Sequence, residues 1–278
     1  MRNFEKEKGR ISMVKFVKVL GAAAMALALG GAAFASEGYK GRIEKFEMPG
    51  VTVHAYNSAE GMLDGSAVFE TEKELVLLEP QSMPESAKEL KRYIDGLGKP
   101  LAAVIVAYHG AGLSLYKGVP IYASKAAVEF AKDGRAAALF ENFAKGVPGF
   151  DPEVIVPDHV LEAPEAVLGG VAFALEYDDI PAPAPGMTIA LPSAKVVYLH
   201  MLGGDTHSIL GGAEHIKAFA EALRKMKGQG YELILTSHHA PERPEALDKK
   251  IAYLERTLEI LSASKTKEDF VAAMKKAF

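Results

Sequence analysis

The 278-residue sequence contains no cysteine and no tryptophan. Without thiols the chain can hold no disulfide, cysteine nucleophile, thiolate-bound zinc or iron–sulfur cluster. Any metal centre must therefore be built from imidazoles and carboxylates. Positive charge is also in short supply, because 32 Lys and Arg face 36 Asp and Glu for a net charge of −4. Phosphate recognition needs clustered Lys and Arg, so nucleic acid and anionic membranes are not expected partners. Repeats and low-complexity segments are lacking beyond the N-terminal stretch.

The one long apolar run, Val19 to Ala35, follows Lys15 and Lys18 and closes on Ala33-Phe34-Ala35 before Ser36. This is the pattern of a secretory signal peptide cleaved after Ala35. A membrane anchor is the alternative, but a span takes about 20 apolar residues, and this run is shorter and interrupted by glycines. The charged stretch before Met13 leaves both Met1 and Met13 as candidate starts. The leader over 1–35 removes six basic and two acidic residues, so residues 36–278 carry −8. They form one domain, expected to be periplasmic or secreted, without stable membrane insertion, and large enough to need no disulfides.

Apolar runs bounded by turn residues predict strands over Arg42–Glu47, Val51–Tyr56, Ser66–Glu70 and Leu75–Leu78, the last apolar throughout as if buried on both faces. Ser82-Met83-Pro84-Glu85 reads as a capping box opening a helix with Ala87, Leu90, Ile94 and Leu97 on one face and Gly98 at its end. Strand Leu101–Ala107 follows, then a short strand over Pro120–Ala123, a helix capped by Ser124 and another over Arg135–Lys145. Val160–Val167 and Val171–Tyr177 read as a β pair across Gly169-Gly170. Met187–Leu191, Lys195–Leu199 and Tyr231–Thr236 are further strands. Helical stripes run through Ile216, Phe219, Leu223 and Met226, and through Leu247, Ile251, Leu254, Leu258 and Leu261. Thr266, with Asp269, caps a last helix. This order predicts an α/β protein whose sheet-on-sheet core is covered by helices.

Five phrases, in this order, carry a family resemblance: Glu72-Lys73-Glu74-Leu75-Val76-Leu77-Leu78-Glu79; Gly98-Lys99-Pro100 with Val104-Ile105-Val106; Gly118-Val119-Pro120-Ile121-Tyr122-Ala123-Ser124; Leu191-Pro192-Ser193-Ala194-Lys195-Val196-Val197-Tyr198; and Ile234-Leu235-Thr236-Ser237-His238-His239. Together they resemble the metallo-β-lactamase hydrolase superfamily. The resemblance implies an αββα four-layer sandwich and a metal-dependent hydrolase. It also implies a His-x-His-x-Asp-His cluster after strand Leu101–Ala107, where this chain reads Tyr108-His109-Gly110-Ala111-Gly112-Leu113. His109 alone remains of that cluster. The family's third His is missing from Pro181–Gly186, Leu199-His200-Met201 stands where a bridging Asp would be, and His238 matches the closing His. A usual two-metal site is therefore not expected.

His109, His200, Asp205, His207, His238 and His239 fall in loops that the implied fold gathers at one edge, so they are candidates for a single Zn, Fe or Mn. The same histidines could instead serve structure, and His207 with Asp205 stands where a helix starting near Gly212 would be capped. Glu79 could orient a ligand or merely end a strand, Asp64 could be a turn residue or line the cleft, and Ser208 or Ser237 beside His could suggest a nucleophile. Tyr108, Tyr116 and Tyr198 could furnish an aromatic pocket or pack the core. The expected function is an exported metallo-hydrolase-like protein with an altered site, acting on an ester, lactone or similar bond of a small molecule. The alternative is a non-catalytic periplasmic binding protein using the same cleft.

Overall fold

Leu75, Val76, Leu77 and Leu78 have no exposed surface at all, and they split by alternation between two cores. Val76 and Leu78 point into the space between two sheets, while Leu75 and Leu77 point outward beneath a helix, as the period of two in a strand requires. The structure is a computed structural model that describes residues 32–34 (backbone), 40–60, 63–177, 184–200, 202–203, 207–208 and 210–278. Of the expected leader, only Ala32–Phe34 lies within these. It forms strand β1, paired antiparallel with β2.

The first sheet is eight-stranded and follows chain order: β1, β2 (Arg42–Met48), β3 (Val51–Asn57), β4 (Gly65–Glu70), β5 (Leu75–Leu78), β6 (Leu101–Val106), β7 (Ile121–Ser124) and β8 (His159–Leu161). It is antiparallel up to β5 and parallel from β5 to β8. Each parallel step needs a crossover. Helix α1 (Pro84–Gly96) makes the first, a 3-10 turn over Leu113–Tyr116 lies in the second, and α2 (Lys125–Lys132) with α3 (Arg135–Gly146) makes the third. The second sheet has five strands in the order β13-β12-β11-β10-β9. They are β9 (Glu165–Leu168), β10 (Val171–Tyr177), β11 (Met187–Leu191), β12 (Val196–Tyr198) and β13 (Leu233–Leu235), with α4 (Ala213–Gly228) joining the parallel pair β12 and β13. Helices α5 (Glu245–Ala263) and α6 (Lys267–Ala277) close the chain.

Three apolar clusters make four layers. Between the sheets, Val53, Phe69 and Ile105 meet Phe173, Ile189 and Leu235, and the Phe69 and Phe173 rings pack edge-on at 5.5 Å. Leu90 and Ile94 of α1 cover the outer face of the first sheet. Phe219 and Leu223 of α4, with Leu247 and Leu254 of α5, cover the second. No helix among the described residues is long and apolar enough to cross a membrane.

The sequence-based boundaries need two corrections. The strand expected over Val160–Val167 is two strands, β8 in the first sheet and β9 in the second. Pro164 lies between them, where the missing N–H breaks a ladder. The capping box expected at Ser82 is not formed: Met83 is the N-cap of α1 and makes no side-chain cap bond. The N–H of Ser82 is donated to Asp64 Oδ2 instead, at 3.2 Å. The box at Thr266 and Asp269 and the cap at Ser124 do form.

Glu89 of α1 ties down the start of the domain. Its carboxylate accepts the N–H groups of Lys40 and Gly41 at 2.9 and 2.7 Å and the Tyr56 hydroxyl at 2.8 Å. Burial works to raise its pKa, but these donors outweigh burial and hold it below the usual carboxylate value. A depressed folded-state pKa gives stability that is full above the unfolded value and lost as pH falls through the folded one. Glu89→Gln is therefore expected to lower the melting temperature near neutral pH and to flatten its fall under acid. Thermal melts from about pH 7 to about pH 3 check this.

Candidate metal centre

Three strand ends meet at one edge of the sandwich. Tyr108 and His109 follow β6, His200 follows β12, and His238 follows β13. One nitrogen from each of His109, His200 and His238 lies within 4.8 Å of the others. The three rings stand edge-on or tilted to one another, with centroids 4.9 to 5.6 Å apart. Zinc–nitrogen bonds of about 2.0–2.1 Å put tetrahedral ligand atoms roughly 3.4 Å apart. The cluster therefore needs only small side-chain shifts to close on an ion.

Each ring has its Nδ1 set against a fixed acceptor. His109 Nδ1 lies 3.2 Å from Glu79 Oε2, and His238 Nδ1 lies 3.3 Å from Asp64 Oδ1. His200 Nδ1 is 2.7 Å from Ser237 Oγ. The Ser237 hydroxyl donates its one proton to the His200 carbonyl, so its oxygen accepts from His200 Nδ1–H. A carboxylate can only accept, so Glu79 and Asp64 favour a proton on the Nδ1 of His109 and of His238. Nε2 is then the nitrogen each ring would present to a metal, in the carboxylate–histidine–metal pattern that orients ligands. The contacts of His109 Nδ1 and Asp64 Oδ1 are not aligned as hydrogen bonds, and both atoms are buried.

These acceptors are held from the backbone. Glu79 has no exposed surface and accepts the N–H groups of Ala107, Tyr108 and His109 at 2.6, 2.9 and 2.9 Å. Its φ of +59° turns the chain at the end of β5. Asp64 pairs with His238 in a backbone bridge, and Gln81 Nε2 donates to its carbonyl at 3.0 Å. Burial raises the Asp64 pKa, but contact with His238, the charge of His109 and the Ser82 N–H outweigh it and lower the net value. At His109 burial works downward, yet Glu79 and Asp64 overcome it and the pKa rises. Among the described residues no carboxylate is paired with His200. Burial, then the charges of His109 and His238, push its pKa far down, leaving a neutral ring. That ring stacks on Tyr108 at 3.5 Å.

The loop after His109 is tightly packed. A Cβ on Gly112, whose φ is +75°, would sit 2.1 Å from the Gln81 carbonyl oxygen. Leu113 is buried in the core under α1, and Ala111 is 2% exposed. Only His109 of this loop reaches the centre.

Of the six residues singled out from the sequence, the fold brings together His109, His200 and His238. His207 stands apart, exposed, its Nδ1 3.2 Å from the Tyr253 hydroxyl. It does not cap α4, whose N-cap is Gly212 with no side-chain bond. His239, at φ +77°, lines a separate small crevice with Tyr56 and Pro241. Asp205 lies outside the described residues. Ser237, weighed as a nucleophile, instead orients His200.

The three histidines floor a cavity of about 370 Å³. Its walls are phenylalanines of α2, α3 and the next loop: Phe130, Phe140, Phe143 and Phe150. Of the tyrosines considered from the sequence, Tyr108 lines this cavity, while Tyr116 and Tyr198 belong to the cores. The signal that sequence reasoning passed over was the run of Phe130, Phe140, Phe143 and Phe150 in α2, α3 and the following loop.

Glu79→Gln keeps the shape but replaces one acceptor oxygen by a donor facing backbone N–H groups. The expected loss is about 1–3 kcal/mol of stability, the cost of leaving buried groups unsatisfied, measured by urea denaturation.

No family model matches the sequence, and no curated protein is similar to it. Solved structures are. A metallo-beta-lactamase from Pontibacter korlensis is 16% identical over 77% of this chain and 99% of its own, with a TM-score of 0.54. The DIM-1 metallo-beta-lactamase is 14% identical over 78% and 97%, with a TM-score of 0.59. A double mutant of the sec-alkyl sulfatase PisA1 is 19% identical over 82% of this chain, which spans 44% of that longer one, with a TM-score of 0.56. Two facing sheets flanked by helices, shared over nearly the full length of the first two, mean that this chain has the metallo-β-lactamase fold.

Proposed function

We propose that this protein is an exported metallo-hydrolase that holds a single metal ion on His109, His200 and His238 and cleaves an ester or lactone. One observation carries the reading: three imidazoles converge, each with Nδ1 set against a separate buried acceptor. Packing alone gives no reason for three such contacts around a common point. The blocked positions at Gly112 and Leu113 favour one metal over two.

Bound there, a divalent cation would supply Lewis-acid chemistry, polarising a carbonyl oxygen and acidifying water. The protein's own groups do the rest. Glu79, Ser237 and Asp64 stand against the three Nδ1 atoms, which favours turning Nε2 toward an ion. Tyr108 covers one face of His200. The phenylalanine walls exclude water, which strengthens electrostatic interactions at the floor.

Elemental analysis of protein purified without tag or chelator tests this. About one equivalent of Zn, Fe or Mn is expected, as one three-ligand site holds. It should fall in His109→Ala, His200→Ala and His238→Ala and persist in His207→Ala and His239→Ala. Asp64→Asn and Ser237→Ala should weaken metal affinity roughly 10–100-fold, as loss of orienting partners does. A folded protein that takes up no metal even on reconstitution would overturn the hydrolase reading and leave a non-catalytic binding protein.

A further inference from the structure

The cavity above the histidines has walls of one chemical kind. None of its described lining residues is Asp, Glu, Lys or Arg. Its polar groups are three imidazoles at the floor with Tyr108, Ser82, Ser208 and His215. Against them stand Phe130, Phe140, Phe143, Phe150 and Phe219. The rings contact one another, Phe140 edge-on to Phe150 at 5.7 Å and Phe143 stacked on Phe150 at 5.8 Å. The side-chain wall is thus already assembled, and Phe143 remains 38% exposed at its rim.

Charge decides what such a cavity takes. A carboxylate or ammonium group moved from water to this wall would meet no Asp, Glu, Lys or Arg among the described lining residues, and uncompensated burial of an ion costs several kcal/mol. An alkyl or aryl group gains on the same path, at about 0.8 kcal/mol for each buried methylene. Three imidazoles gather at one point of the lining and five phenylalanines stand among the rest, which suits a ligand with one polar end and an apolar length.

We propose that the ligand is an uncharged ester whose alkyl or aryl tail lies along the phenylalanines and whose carbonyl faces His109, His200 and His238. This specifies the substrate of the hydrolase reading and rests on it for the reaction, but the binding preference does not require turnover. Substrates with a charged tail are excluded by the same wall. Phe140 and Phe143 act as specificity determinants, through contact with the tail.

The test is competition against an uncharged fluorescent probe, N-phenyl-1-naphthylamine, on the purified protein. The competitors are methyl esters from butanoate to decanoate, and the monomethyl esters of dicarboxylic acids of equal length. Affinity for the plain esters should rise about fourfold per methylene, the equivalent of ~0.8 kcal/mol, until the cavity is full. The esters with a carboxylate at the far end should bind at least about tenfold more weakly. Phe143→Asp, at the partly exposed rim, should weaken the plain esters, and Phe140→Ala should reduce the gain per methylene, with thermal melts confirming that both variants fold.

Affinity that ignores chain length, or equal binding of the charged-tail esters, would overturn the inference. Hydrolysis of the esters without a chain-length preference would overturn it too, while leaving the hydrolase reading in place. Length-dependent binding with neither metal nor turnover would support the inference and sink that reading alone.

Discussion

Removing a carboxylate wholly from water costs several kcal/mol unless its oxygens are paired, and Glu79 meets that condition with three consecutive backbone N–H groups. Those groups belong to Ala107, Tyr108 and His109, so one side chain sets the exit of β6 from the sheet. The same carboxylate then faces His109 Nδ1. Backbone path and ring orientation are thereby tied to a single buried group, and Tyr108, fixed by the same bonds, supplies the surface on which His200 stacks. The rest of the edge is arranged around that corner.

The site is a consequence of layering. Two sheets packed face to face bury their inner surfaces, and α1, α4 and α5 cover the outer ones, so polar residues at the ends of β6, β12 and β13 have one place to go. Asp64, next to β4 of the first sheet, faces His238, and Ser237, after the strand β13 that pairs with β12, holds His200. Charge is confined to the floor, where each acceptor has a ring to face. Above it α2, α3 and the following loop raise a wall with no ionisable group except histidine and tyrosine among the described lining residues. Imidazoles on a floor under phenylalanine walls combine ligand basicity with exclusion of water, and both favour metal chemistry.

Much of this was legible in the sequence, unevenly so. Strands such as Leu75–Leu78 and Met187–Leu191 declare themselves because burial on both faces demands apolar residues throughout. The caps at Ser124 and Thr266 are local hydrogen-bond chemistry and form as read. Ser82 misled because the N–H it exposes is claimed by Asp64, a residue far off in the chain. Val160–Val167 misled because composition does not say to which sheet each half belongs. Among the histidines, the resemblance set His109 and His238 apart, but nothing local separated His200 from His207 and His239.

What the sequence by itself determined is the two-sheet α/β core, the lack of thiol chemistry, and the imidazole and carboxylate groups from which a metal site could be made. These follow from residue type and period, which act over a few residues. Only the tertiary structure decided which three histidines converge, which acceptors orient them, and that the space above is walled by phenylalanine. Those are distances between residues far apart in the chain, and packing sets them.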